Sequence, residues 1–231
     1  MGLTVGTDDI TAATLGSTDL VAVTLGDTDM WTGKKTVTYA SFPTVPAGTV
    51  NVACTPGAGA VTVTSNCLRD GNSTAANGTY WSLAVLPDDM GLDDFSTTVT
   101  NAGLDSSSDR GAGGGNASAD GTVAVFAILC GTGKGVSGQI YTWVGGVLTS
   151  RASQLSVTWV QNNTAALVPA VSDGVVTWTL YKNGVATALT WTDDDHLVDL
   201  PGAHPVIGFR HAYASGQYAG PGVKALMAQE L

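Results

Sequence analysis

The densest group of side chains able to hold a cation or move a proton is Asp193-Asp194-Asp195-His196, three carboxylates and an imidazole in succession. Neighbours on a strand or turn point to opposite sides, so the run cannot converge on one ion as a D-x-D-x-D loop does, and it reads as a solvated turn. Asp88-Asp89 and Asp93-Asp94 bracket Met90-Gly91-Leu92 in the same manner. Hydrolysis of a glycosidic bond needs two carboxyl groups about 5 to 9.5 Å apart, one of them held protonated. The chain has 19 acidic residues, yet Glu230 is its single glutamate. No serine sits in a G-x-S-x-G elbow. Gly131-Thr132-Gly133-Lys134-Gly135 lacks the G-x-x-x-x-G-K-[ST] spacing of a phosphate loop. His196, His204 and His211 are separated by varied sequence and define no site. Cys54, Cys67 and Cys130 contain no C-x-x-C; Cys54 and Cys67 flank a Pro-Gly turn and are either disulfide partners or buried thiols. The expectation is therefore a chain with no catalytic residue, no metal and no cofactor.

Recognition of a neutral ligand is another matter. Six Trp and six Tyr accompany only four Phe, and aromatic rings with a polar edge suit sugar stacking. Trp159 and Trp178 lie in alternating runs and read as core. Trp81, Trp143 and Trp191 adjoin polar loops and, with Asp193, Asp194, Asp195 and His196, make the expected glycan-contact surface.

These residues need a scaffold, and composition limits its kind. The 231 residues are 44% hydrophobic and 12% charged, with a mean hydropathy of +0.19, enough apolar mass to offset chain entropy. No run approaches the ~18 apolar residues of a membrane-spanning helix. Nine Lys plus Arg against 19 acids give a net charge of -10, and the basic residues are scattered singly apart from Lys34-Lys35, which disfavours nucleic acid as a partner. Met1 is followed by Gly, Leu, Thr, Val and soon two aspartates, a start that predicts no export by the general secretory route.

Aspartate beside Gly, Thr and Ser favours turns over helices, and alternating Val, Thr, Trp and Tyr runs recur along the chain. The pattern predicts an all-β protein with strands from Thr49 onward at sandwich spacing. Asn183-Gly184 and Gly145-Gly146 each join two alternating runs and mark hairpins. The stretch SSSDRGAGGGNASAD, 106–120, is read as a mobile surface loop. Residues 33–48, with two prolines, are read as a linker between an arm, 1–32, and a body, 49–231.

The arm is repetitive. Val5-Gly6-Thr7-Asp8-Asp9-Ile10, Leu15-Gly16-Ser17-Thr18-Asp19-Leu20 and Leu25-Gly26-Asp27-Thr28-Asp29-Met30 superpose at a spacing of ten. Each unit predicts a short strand and a tight turn, too small to fold alone. Val5, Ile10, Leu15, Leu20, Leu25, Met30 and Trp31 are the expected assembly contacts.

The run LGSTDLVAVTLGDTDMW resembles the N-terminal repeat of minor tail proteins of actinobacteriophages, in which L-G-x-T-x-V units precede a Trp. VTLG stands here where many relatives carry Tyr or Lys, which puts the attachment partner in doubt. Near the other end, VVTWTLYKNGVATALTW, HPVIGFR and GVKALMAQEL resemble the last strands of concanavalin-like jelly rolls, laminin-G-like modules included; the family's metal-ligand pattern is not recognisable. Together the resemblances imply a β-repeat arm followed by an antiparallel β-sandwich of concanavalin-like jelly-roll type. They imply a structural virion protein at the tail tip or baseplate, a minor tail protein assembled in the host cytoplasm, bound to other phage tail proteins and contacting host cell-wall glycan. A homotrimer is expected from short free-edged strands. A lectin-like carbohydrate-binding module and a capsid decoration protein are the alternatives.

Overall fold

Two-residue turns that demand positive φ at both positions set the register of this chain. Ser65-Asn66, Gly145-Gly146, Asp173-Gly174 and Asn183-Gly184 all have φ between 51° and 85°, the type I′ geometry whose twist matches that of the flanking strands. The computed structural model describes residues 14–15, 18–19, 22–25, 28–32, 34–71, 78–91, 94–102, 111–130, 138–154, 160–198, 203–213 and 222–231. Among them there is no helix, and every strand pair is antiparallel. The chain divides into two compact units, Met1–Lys35 and Thr36–Leu231.

In the first unit, β1 (Thr14–Leu15) pairs with β2 (Thr18–Asp19), and β3 (Ala22–Leu25) with β4 (Thr28–Thr32). Leu15 faces Thr18, and Leu25 faces Thr28 ten residues on, so the decad of the sequence is a hairpin repeat. Of the expected contacts, Leu15, Leu25, Met30 and Trp31 fall on strands; Val5, Ile10 and Leu20 lie outside the described residues.

The second unit contains β5 (Thr36–Tyr39), β6 (Val50–Ala53), β7 (Gly59–Thr64), β8 (Cys67–Gly71), β9 (Gly78–Val85), β10 (Phe95–Asn101), β11 (Gly111–Ala117), β12 (Val123–Cys130), β13 (Gly138–Val144), β14 (Val147–Gln154), β15 (Thr164–Ser172), β16 (Val175–Lys182), β17 (Val185–Thr192), β18 (His204–Tyr213) and β19 (Gly222–Glu230). They form an eight-stranded sheet, β17-β16-β15-β10-β19-β8-β7 with β5 also on β19, and a seven-stranded sheet, β14-β13-β12-β11-β18-β9-β6. Residues 36–39, inside the stretch read as a linker, thus belong to a sheet. Between the sheets lies a core that includes Leu68, Phe95, Val99, Leu129, Ile140, Leu167, Trp178 and Phe209. Both open sides are closed where edge strands meet: Val61 N–H on β7 donates to Asn51 Oδ1 on β6 at 2.9 Å, and the Arg151 guanidinium on β14 lies 5.5 Å from the Trp191 ring on β17.

The glycine-rich stretch read as a surface loop is corrected by the structure. Residues 111–117 are β11, a central strand buried along its whole length between β12 and β18. Glycine is required because the backbone runs against its neighbours: a Cβ on Gly113 or Gly115 would lie 2.0 Å from a β12 carbonyl oxygen, and one on Gly114 2.4 Å from Thr97 O of the facing sheet. Asn116 completes the join, its Nδ2 donating to Phe95 O at 3.0 Å. Gly-rich composition signals close backbone approach here, not a loop.

Candidate functional site

Side chains alternate across a strand, so the seven-stranded sheet has a second face. Ala84, Val125, Ile140 and Ile207 enter the interlayer core. Their neighbours Leu83, Val85, Ala124, Phe126, Ile128, Tyr141, Trp143 and Val206 form another apolar cluster on the outer side, with Trp81, Leu148, Val50, Val52 and Cys54 at its margin. An antiparallel sheet usually has one wet face; this one covers both.

That outer face is concave. Tyr141 on β13 and Trp81 on β9 are four strand intervals apart, about 19 Å on a flat sheet at ~4.8 Å per interval, yet their ring centroids are 4.6 Å apart. The sheet curls, and glycine makes room for the rings: a Cβ on Gly208 of β18 would meet the Phe126 ring at 2.2 Å. Phe126 stacks on Tyr141 at 5.8 Å. Over the other end of the row, the Arg210 guanidinium lies 5.0 Å from the Trp81 ring centroid, and the Tyr141 hydroxyl donates to Gln139 Oε1. Phe126 and Tyr141, at 0% and 6% exposure, are the buried support beneath half-buried Trp81, Arg210 and Gln139, whose indole and planar polar groups suit an uncharged ring bearing hydroxyls.

The expected contact residues separate into three places. Trp81 and Trp143 share the concave cluster, where Trp143 is buried at 9% exposure and Trp81 is half-buried, the more exposed indole of the two. Trp191 packs against the interlayer core, beside Trp178 in register. Asp193 is not a solvated turn residue: it is 3% exposed, its carboxylate accepting Leu197 N–H and Val198 N–H at 2.9 Å each. It holds a turn in which Asp194, Asp195 and His196 are exposed. Among the described residues no group of three His, Cys, Asp or Glu could hold a metal ion. Cys54, just past the end of β6, and Cys67, at the start of β8, are free thiols, and burial pushes the Cys54 thiol up to about 12.

Sequence reasoning missed Gln139, Tyr141 and Arg210, whose alternation with core residues was the available signal. It also missed a buried polar cluster where the sheets meet. Ser82 Oγ on β9 donates to Asp70 Oδ1 on β8 at 2.7 Å, the other Asp70 oxygen contacts His211 Nδ1 on β18, and Tyr80 stacks on His211 at 5.1 Å. Burial lowers His211 to about 4, against the pull of the Asp70 carboxylate beside it. Serine bonds the carboxylate here and not the imidazole, with 2% exposure or less at Ser82, Asp70 and His211. The trio is an interlayer brace and lacks the Ser–His contact of a nucleophile and its base.

No family model matches the chain, and no curated protein matches it. Solved structures do resemble it. Lectin I-B4 of Griffonia simplicifolia in its metal-free form is 16% identical with a TM-score of 0.51, over 85% of this chain and 100% of that one. Lectin I of Ulex europaeus, in complex with the methyl glycoside of α-L-fucose, is 13% identical with a TM-score of 0.50, over 85% and 97%. At these identities the likeness is one of fold: the chain is an all-β antiparallel sandwich of the concanavalin-like, lectin-like jelly-roll type.

Proposed function

We propose that the sandwich is a glycan-binding module without catalytic chemistry and that its ligand lies on the concave face of the seven-stranded sheet. The observation that carries this reading is the Trp81–Tyr141–Arg210 arrangement, an indole and a phenol brought together by sheet curvature under a guanidinium. A sugar ring would lie against the indole edge while Arg210 and Gln139 bond its hydroxyls. The Ulex europaeus lectin of the same fold, solved with a fucoside, makes saccharide the first ligand class to test. An array of neutral and cell-wall glycans, arabinogalactan and peptidoglycan included, probed with the purified chain tests it. Sugar-selective binding that weakens at least tenfold in Arg210→Lys and Trp81→Phe is expected; no retention of any saccharide, or parental binding by both variants, refutes it.

The decad hairpins favour a further reading of the whole chain, as a structural component of a phage virion whose arm docks among tail proteins at the tip and whose sandwich meets the host wall. Two in-register hairpins with Leu15 and Leu25 at equivalent positions are the repeating, partner-seeking element such docking needs. Deleting residues 1–35 should leave a folded sandwich that no longer enters particles. Incorporation of the truncated chain at normal copy number would refute the role.

A further inference from the structure

Charge in the sandwich is sorted by strand end. Antiparallel register, with Asn116 Nδ2 on Phe95 O linking the sheets, brings the end of β16, the start of β19, the later half of β8 and the end of β18 to one pole. Lys182, Lys224, Arg69 and Arg210 lie there, and Arg151 is midway along β14. Among the described residues from Thr36 on, every Asp and Glu except buried Asp70 lies at the other pole: between β9 and β10, in the turns before β12 and β16, after β17 and at the end of β19. The joining stretches 103–110 and 131–137 add Asp105 and Asp109 against Arg110 and Lys134, and so no net charge.

On the eight-stranded sheet the basic pole is a strip of cations and amides. Gly222 faces Arg69, which makes Lys224 and Arg69 outward diagonal neighbours, about 7–8 Å apart. Lys224 Nζ donates to Asn162 Oδ1 at 2.5 Å, and Asn162 N–H donates to Asn101 O at 3.1 Å. Asn163 Oδ1 accepts Val160 N–H at 3.1 Å, and Asn183 Oδ1, beside Lys182, accepts Thr164 N–H at 2.9 Å. From β8 to β16 is four strand intervals, about 19 Å at ~4.8 Å each. Gln161, Asn162 and Asn183 are exposed, and Arg69, Lys182 and Lys224 are half-buried, as long stems with their charged heads in water are.

We propose that this strip binds an acidic polysaccharide, at a contact separate from the concave face. Each amide offers both a donor and an acceptor and so suits a hydroxyl, while the cations pair with anionic groups along the chain. Three cations separated by amides over about 19 Å match a polymer with hydroxyls between its charges better than nucleic acid, which carries a charge every ~1.7 Å of duplex. The net charge of -10 does not oppose this. Seven residue steps of β16 at ~3.4 Å place Lys182 about 24 Å from the Asp173 turn, about three Debye lengths at physiological salt. The anionic ligand therefore meets the local positive field and is screened from the acidic pole.

Interferometry with the full chain over immobilised alginate, a polyuronate, and over a poly(glycerol phosphate) tests this, with duplex DNA as the competing polyanion. Binding to at least one of the two acidic polymers is expected, and which of them binds identifies the anion as carboxylate or phosphodiester. Affinity should fall about tenfold between 50 and 200 mM NaCl. Replacing both lysines, Lys182→Gln with Lys224→Gln, should weaken binding at least tenfold at 50 mM, whereas Asp173→Asn, at the other pole, should change it less than twofold. Circular dichroism establishes that the variants fold, and either single lysine variant, expected to lose at least threefold, carries the test if the double variant does not. Binding to neither acidic polymer, binding indifferent to salt, parental affinity in the folded lysine variant, an equal loss in Asp173→Asn, or DNA bound as tightly as the polysaccharide overturns the proposal.

Discussion

Replacing Gly113 by alanine tests whether β11 is buried against β12 as described. The added methyl carbon would lie 2.0 Å from Ala127 O and 2.7 Å from the carbon that bears it. Ordinary contact begins near 3.4 Å, so β11 must retreat by about 1.4 Å. It is hydrogen-bonded on both sides, and moving from β12 drives it into β18. Overpacking costs about 1–3 kcal/mol, and two strained ladder bonds about 1 kcal/mol each, for a sum of about 4 kcal/mol. For a domain of this size that is a fall of about 12 °C in melting temperature. Gly222→Ala, whose nearest contacts are 3.1 Å from Ala102 and Arg69 side-chain atoms, should lose less than half as much. Gly146→Ala meets nothing within 4 Å but sits at φ +85°, so its loss is conformational, about 1 kcal/mol. Thermal unfolding followed by circular dichroism ranks the three. A Gly113→Ala protein melting within about 3 °C of the parent, or Gly146→Ala falling as far as Gly113→Ala, would refute the placement of β11.

The Asp193-Asp194-Asp195 run should split on mutation: Asp193→Ala strands two amide donors and destabilises by about 2–3 kcal/mol, while Asp194→Ala and Asp195→Ala stay within about 0.5 kcal/mol; equal denaturation midpoints for all three would contradict the turn described. His211 has a folded pKa of about 4 against 6.5 for the free side chain, so the unfolded chain binds the extra proton between those values and stability falls as pH drops through that window. The loss is about 3 kcal/mol at pH 4, and His211→Gln should flatten the slope of urea midpoint against pH; an unchanged slope would remove His211 as its source. Iodoacetamide at pH 8 should label Cys54 slowly in the native protein, because a thiol at about 12 is almost wholly protonated, and peptide mapping should recover Cys54 and Cys67 unlinked; a peptide joining them would contradict the free thiols.

Much of the sandwich is legible one strand at a time. Val185–Thr192 occupies the residues that alternation predicts, and Asn183-Gly184 turns where its dipeptide says, because both signals are local. β11 is illegible for the opposite reason: intrinsic preference sends glycine to loops, while the approach of Ala127 O and Thr97 O, distant in sequence, makes it the residue that fits. Thr36–Tyr39 hides between Lys34-Lys35 and the prolines of 43–46, and joins a sheet through partners almost two hundred residues away. Trp81 was identifiable as a ring beside a polar loop, but its companions Tyr141 and Arg210 arrive from other strands by curvature, which no single-strand period encodes. Asp70, Ser82 and His211 meet in the same way, on three strands of two sheets.

The hairpin register of the arm also acts as a ruler. Leu15 faces Thr18 and Leu25 faces Thr28, so ten residues are the increment that returns the chain to the same pairing. Insertion or loss of a whole decad changes the arm by one hairpin and leaves the remaining pairings intact. Insertion of a single residue within a strand turns every later side chain of that strand to the opposite side. Arm length can therefore change in steps of ten residues while the sandwich stays unaltered.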